Sequence, residues 1–304
     1  MKNQPNPRPP EWTVIKLLKW ATTYFRSHDI ESPRASAEIL LAHTLDLERI
    51  DLYLRYDQPL DGDELNRFKA LIKRRINREP VAYIVGQKGF WSIDLTVTGD
   101  VLIPRPETEC LVEAALDVLS AAVPDSGQRI LELGTGSGAV ILALAAQHAD
   151  RLYFASDTSL SAIRIAHANA RRLHLEERVR FFGGDWFAPL RPRSGCFDLI
   201  LSNPPYIKSA ELEDLQPEIY NFEPIRALDG GPDGLSCLRR IIDHAHHYLK
   251  PRGMLMLEIG HDQQKDVYQM MKRCGQYDQF VCTQDYGGRD RVVQMRKKML
   301  RMQT

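Results

Sequence analysis

Apolar residues recur at helical spacing along the first quarter of the chain. In EWTVIKLLKWATTYFRS, Val14, Leu17, Leu18 and Ala21 fall on one face, with Trp20 and Phe25 adding bulk, which predicts an amphipathic helix. SPRASAEILLAHTL predicts a second, with Ser32 as its N-cap and Pro33 in its first turn. DGDELNRFKALIKRRINRE predicts another, starting at Asp61 and ending in basic residues that suit the helix dipole. Three or four helices over roughly 70 residues make a small bundle. The next stretch, VAYIVGQKGFWSIDLTVTGDVLIP, is punctuated by Gly86 and Gly89 and alternates in SIDLTVT, as a short hairpin joining two domains would.

From Gln128 onward strand-like and helix-like runs take turns. RILEL, RLYFASD, RVRFFGGD, FDLILSN and GMLMLEIG read as strands. AVILALAAQH, LSAIRIAHANARRL, GLSCLRRIIDHAHHYL and QQKDVYQMMKRC read as helices, and DQFVCTQD and DRVVQMRK as closing strands. Such alternation predicts an α/β domain with a mostly parallel, doubly wound sheet. Ligands in that architecture bind beyond the carboxyl ends of the strands. The loops after Leu133, Ser156, Gly184 and Ser202 are therefore where chemistry is expected. The domain expectation is a disordered Pro-rich lead-in over 1–10, a helical domain over 11–80, a hairpin linker over 81–104 and a catalytic domain over 105–304.

Composition narrows the classes. The 304 residues, 43% apolar and 26% charged, suit a soluble globular protein of one large domain or two. Lys plus Arg is 40 and Asp plus Glu is 40, so no global charge draws the chain to a phosphate backbone. Cys110, Cys196, Cys237, Cys274 and Cys282 form no C-x-x-C pair, which argues against a disulfide framework or structural zinc and for free thiols in a reducing compartment. No apolar run reaches the roughly 20 residues of a membrane span, and MKNQPNPRPP lacks a signal peptide's apolar region. A cytoplasmic protein is the expectation.

Each strand end then carries something. In ELGTGSGAV, Gly134, Gly136 and Gly138 let the backbone turn sharply and approach a ligand, with a helix N-terminus behind them. The same loop satisfies the dinucleotide fingerprint G-x-G-x-x-A, so a nicotinamide cofactor competes at this point. Asp157 can accept hydrogen bonds from both ribose hydroxyls of an adenosine, or cap the following helix. Asp185 can receive an exocyclic amino group, and Trp186 offers its face to a flat base or packs in the core. The fourth strand ends in Asn203, Pro204, Pro205 and Tyr206, which hydride transfer does not need. A planar –NH2 on an sp2 carbon does, because its lone pair is delocalised. Asn203 can accept one N–H through its side-chain oxygen, and the Pro204 carbonyl, stiffened by two prolines, can accept the other. Tyr206 can lie on the target's plane and align it for attack.

Together ELGTGSG, Asp157, GDW and NPPY resemble the class I S-adenosylmethionine-dependent methyltransferases that modify planar amino groups. That resemblance implies a seven-stranded doubly wound sheet with an antiparallel last strand. REPVAYIVGQKGFWSIDLTVTGDVLIPRPETECLVEAAL, EPIRALDGGPDGL and DYGGRDRVV are similar to HemK/PrmC-type release factor glutamine methyltransferases. The resemblance spans roughly Glu11 to Arg296 and implies N5-methylation of the glutamine in the Gly-Gly-Gln loop of class 1 peptide chain release factors, in translation termination. It implies S-adenosyl-L-methionine as cofactor, held by Glu132, Gly134, Thr135, Gly136, Ser137, Gly138, Asp157, Asp185, Trp186 and Asn203. Asn203, Pro204, Pro205 and Tyr206 would be the catalytic and substrate-binding turn. Arg105 is a further substrate-binding candidate, with capping and domain linking as competing roles.

NPPY is shared with DNA adenine and rRNA guanine methyltransferases, so an N6-adenine or other nucleic-acid amino methyltransferase is the alternative. A flipped base would call for basic contacts, and NPPYIKSAELEDLQPE is acidic beyond Lys208. Relatives that methylate a ribosomal protein differ where this chain has RPETE, and an inactive binder with the same fold is a further possibility. His244 and His247, three apart in DHAHHYL, lack the companions of a metal site, and no metal is expected. The helical domain is expected to recognise the substrate, with no direct nucleic-acid binding, no membrane and a monomeric state.

Overall fold

The structure, a computed structural model, describes residues 12–121, 127–191 and 195–299. The lead-in over 1–10 lies outside the described residues. The chain divides into two compact units, Met1–Gly86 with Pro217–Phe222, and Gln87–Gln216 with Glu223–Thr304.

The first unit is helical. Helix Val14–Arg26 buries Val14, Leu17, Leu18, Ala21 and Phe25, one stripe of an amphipathic surface. Helix Pro33–Leu45 starts on Pro33, whose ring presets a helical φ. Ser32 occupies the N-cap in a left-handed conformation (φ 47°) and its side chain makes no capping bond. Helix Gly62–Ile76 starts on a capping box: Asp61 accepts from the Glu64 amide and Glu64 from the Asp61 amide. Short helices Asp51–Leu54 and Val81–Val85 complete the N-terminal part. Gly86, at φ 73°, ends the last one just before the hairpin. Phe25, Leu40, Leu41, Leu52 and Phe68 form the centre of the core. Each contributes about 1.5–3 kcal/mol through removal from water. Within this unit helix Pro217–Tyr220 is held by Glu218, whose carboxylate meets the buried guanidinium of Arg75 at 3.0 Å.

The second unit opens with an antiparallel hairpin, β1 (Gln87–Phe90) and β2 (Ile93–Thr96). A seven-stranded sheet follows: β3 (Arg129–Leu133), β4 (Leu152–Asp157), β5 (Val179–Gly183), β6 (Phe197–Ser202), β7 (Leu249–Glu258), β8 (Tyr277–Gln284) and β9 (Asp290–Lys297). Its order is β5-β4-β3-β6-β7-β9-β8. The first five are parallel, and β9 runs antiparallel between β7 and β8. Period-2 alternation splits central strand β3 between two cores. Ile130 joins the cluster under helices Glu109–Ala121 and Ala139–Gln147, while Leu131 and Leu133 join the one under Ser236–Ala245 and Gln264–Cys274. Burial on both faces explains why β3, β6 and the second half of β7 read as continuous apolar runs. Strand order reverses between β3 and β6, so their carboxyl ends open the crevice where such sheets bind ligands.

Candidate active site

The loop after β3 turns on three glycines with positive φ: Gly134 at 71°, Gly136 at 55° and Gly138 at 85°. A Cβ on Gly138 would stand 2.9 Å from Leu142 Cδ1 and 3.3 Å from Ala166 Cβ, so packing as well as φ demands glycine there. The loop is fastened from below. The Thr135 amide donates to the Ser156 carbonyl at 2.9 Å, and its hydroxyl donates to Glu132 Oε2 at 2.5 Å. Asn169, fully buried, donates to the Ser137 carbonyl at 2.9 Å and the Thr96 carbonyl at 3.0 Å, and accepts from the Thr96 amide at 2.8 Å. One side chain thus ties β2 of the hairpin to the glycine loop. Glu132, Thr135 and Ser137 are all buried, so they shape the loop from beneath.

Burial pushes Glu132 up to about 8, against the opposing pull of the Thr135 hydroxyl and the Ile141 amide. Its carboxyl is therefore protonated in the folded chain near neutral pH, while the unfolded chain releases that proton near 4.5. The folded state binds more protons between those values, so this group's contribution is fully present below pH 4.5 and is lost as pH rises through about 8. Relative to Glu132→Gln, the wild type should lose stability from pH 5 to 8, at a limiting slope of about 1.4 kcal/mol per pH unit. Urea midpoints of both proteins check this; a pH-independent difference would show that Glu132 is ionised in the fold.

β4 ends on Asp157. Its Oδ2 accepts from the Gly136 amide at 2.9 Å and its Oδ1 from the Ser159 amide at 2.8 Å. The cap of helix Leu160–Arg172 is Ser159, whose hydroxyl accepts from the Ala162 amide, so Asp157 does not serve as that helix's N-cap. Trp186, after β5, is half-buried, with its ring 4.0 Å from where a Gly134 Cβ would stand. Asp185 is exposed and ion-paired with Arg240 at 2.7 Å. A cleft is lined by Gly134, Gly136, Asp157, Trp186, Asn203 and Pro205 among others. Three successive strand ends thus meet the NPPY turn in one crevice.

That turn is held from several sides. The Ser202 hydroxyl donates to the Leu133 carbonyl at 2.7 Å, joining the ends of β6 and β3. Asn203 Nδ2 donates to Thr108 Oγ1 at 3.1 Å, and Asn203 lines the cleft. Pro204 is buried. The Tyr206 hydroxyl donates to Glu258 Oε1 at 3.2 Å and accepts from Arg291 Nη1 at 3.5 Å, and its ring packs against the apolar core of that face. The phenol therefore points inward, and the ring is anchored by its far end. Burial, followed by the nearby Glu258, raises the Tyr206 phenol well above its ordinary value. Burial likewise pushes Glu258 up to about 7, with Thr108 and Arg291 pulling it down.

The segment after the turn closes over it. The Ile207 amide donates to the Leu228 carbonyl at 3.0 Å and the Gly230 amide to the Ile207 carbonyl at 2.7 Å. A Cβ on Gly230 would lie 2.7 Å from Tyr206 Cα, and one on Gly234 2.5 Å from the Tyr206 carbonyl oxygen. Gln263 Nε2 donates to both the Tyr206 carbonyl, at 3.0 Å, and the Gly234 carbonyl, at 3.2 Å. Arg105 meets Glu223 at 2.6 Å, and Glu223 also accepts from the Ile103 amide at 3.2 Å. This pairing joins IPRPE to EPIRALDGG. The supporting residues Thr108, Glu258, Asn169 and Gln263 carry no motif of their own, although Glu258 does end an apolar strand at the ligand-binding edge.

A family model described as the PrmC N-terminal domain matches residues 16–86, and one described as a methyltransferase domain matches residues 124–301. The release factor glutamine methyltransferase of Geobacter sulfurreducens is 43% identical over 286 residues, 94% of this chain and 97% of its own. That of Rhodospirillum rubrum is 42% identical over 283 residues, 93% of this chain and 85% of its own. Among solved structures, the hMettl16 catalytic domain in complex with MAT2A 3'UTR hairpin 1 aligns with a TM-score of 0.54 at 14% identity, covering 68% of this chain and 75% of its own, a likeness of fold alone. No helix among the described residues is long and apolar enough to cross a membrane.

Proposed function

We propose, because the chain belongs to the release factor glutamine methyltransferase family, that it methylates N5 of the glutamine in the Gly-Gly-Gln loop of class 1 peptide chain release factors. S-adenosyl-L-methionine is the cofactor, and when bound it supplies a methyl carbon made electrophilic by positively charged sulfur. The residues present fit it. Gly134 and Gly136 leave room at the loop for its methionine part, Asp157 offers carboxylate oxygens to its ribose, and Trp186 offers a face to its adenine, whereas Asp185, ion-paired with Arg240, does not line that cleft. Asn203 Oδ1 and the Pro204 carbonyl take the two N–H groups of the glutamine amide. Charge that develops on its nitrogen is spread over both oxygens. The proline pair keeps the carbonyl in place, and the internally anchored Tyr206 limits the volume in which the amide can sit. The methylated amide is acidic enough to lose its proton to water without a dedicated base.

The observation that carries this reading is the meeting of Asn203 and Pro205 with Gly136, Asp157 and Trp186 around one cleft. The zero formal net charge favours a protein substrate over nucleic acid. In this reading the helical unit contributes to recognition of the release factor, and the reaction takes place in the cytoplasm. A transfer assay with methyl-labelled cofactor tests it. Label enters a release factor and is lost when the Gly-Gly-Gln glutamine becomes alanine; label in DNA or RNA instead overturns the reading.

A further inference from the structure

A carboxamide has two ends of nearly equal size, and only its oxygen can accept a bond from the substrate nitrogen. If Asn203 turned over, its own N–H groups would face those of the substrate and no bond would form. Its orientation therefore has to be imposed, and among the described residues the side-chain hydrogen bond of Asn203 goes to Thr108 Oγ1. Thr108 is 4% exposed and sits in the turn Pro106–Thr108, far from the NPPY turn in sequence. A hydroxyl can donate as well as accept, so Thr108 alone would tolerate either end of the amide. What breaks the tie is Glu258, 1% exposed at the end of β7. Thr108 stands close enough to favour its ionised form, although no well-formed hydrogen bond reaches its buried Oε2. In its ionised form, which Thr108 and Arg291 favour, Glu258 would offer that oxygen to the Thr108 proton and leave Oγ1 to accept from Asn203. The other oxygen of the same carboxyl takes the Tyr206 hydroxyl at 3.2 Å.

We infer that Thr108 and Glu258 are positioning residues for methyl transfer, Thr108 selecting which end of Asn203 faces the cleft and Glu258 fixing both Thr108 and Tyr206. The inference rests on the reading of Asn203 as the acceptor for the substrate amide. Thr108→Ser keeps the hydroxyl and Thr108→Val keeps the shape without it. Glu258→Gln replaces a carboxyl whose ionised form only accepts by an amide that can donate to Thr108 at any pH.

Expected is a kcat within about twofold of wild type for the serine variant. Loss of a buried bond of this kind predicts about a tenfold lower kcat for the valine and glutamine variants. The release factor KM and the cofactor Kd should stay within about twofold in all three, because no cofactor or recognition contact is removed. A wild-type kcat in Thr108→Val, or a loss in Thr108→Ser equal to that in Thr108→Val, overturns the inference. So does a matching loss of cofactor affinity, which marks general collapse of the site.

A second readout needs no substrate. Asn203 side-chain amide protons, assigned by their disappearance in Asn203→Asp, should exchange slowly with solvent in wild type and Thr108→Ser and faster in Thr108→Val. Equal exchange in all three overturns the positioning role. A wild type with protected Asn203 protons that transfers no methyl to a release factor overturns the proposed substrate instead.

Discussion

Asn203→Ala should lower turnover by about 2–4 kcal/mol of barrier, roughly thirty- to a thousandfold in kcat, as removal of one preorganised hydrogen-bond partner does. An amide nitrogen shares its lone pair with its carbonyl and gains positive charge only as the new bond forms. An oxygen fixed beside it therefore stabilises the transition state more than the ground state, which places the loss in kcat rather than KM. The oxygen is fixed because Asn203 Nδ2 is committed to Thr108. Cofactor affinity should change little, since Gly136, Asp157 and Trp186 all remain on the cleft. Single-turnover methyl transfer beside calorimetric titration of the cofactor separates the two. A turnover equal to wild type would refute the acceptor role.

Gly136→Val should have the opposite signature, loss of cofactor binding with the fold intact. A β-branched residue at φ 55° costs on the order of 1–2 kcal/mol in the left-handed region. Relief of that strain would move the amide that donates to Asp157 at 2.9 Å. Beyond its chain neighbours, no described protein atom lies within 4 Å of the added Cβ, so the side chain projects into open space at a residue that lines the cleft. Both effects fall on the ligand rather than on the core. Circular dichroism should match wild type while calorimetry detects no cofactor binding; normal affinity would count against placing the cofactor at this loop.

Much of the fold is legible in the sequence because the central strands β3 and β6 and the second half of β7 are buried on both faces and stand out as apolar runs between amphipathic helices. Those runs, and that of β4, end where the sheet ends: β3 at Leu133, β4 at Asp157 and β6 at Ser202. The rule that ligands sit at carboxyl ends then brings Gly136, Asp157, Trp186 and Asn203 into one crevice. What surrounds Asn203 is less legible. Thr108 is a single threonine in a turn, Asn169 a single amide in a helix, and neither disturbs a periodicity. Their importance comes from pairings far apart in sequence, to Asn203 in one case and to Ser137 and Thr96 in the other. Glu258 left a fainter trace, a lone acid at the end of GMLMLEIG. The orientation of Tyr206 was also beyond sequence reading, because its hydroxyl is drawn inward by that carboxyl and by Arg291. Helix Pro217–Tyr220 gives no local sign that it belongs with the N-terminal helices, since its ion pair partner is Arg75.

The most direct measurement is a crystal structure of the enzyme with the demethylated cofactor product and a release factor. The Gly-Gly-Gln side-chain nitrogen should lie within hydrogen-bond distance of both Asn203 Oδ1 and the Pro204 carbonyl oxygen, with Asn203 Nδ2 still on Thr108. A glutamine seated away from these two oxygens, or an Asn203 amide released from Thr108, would contradict the account.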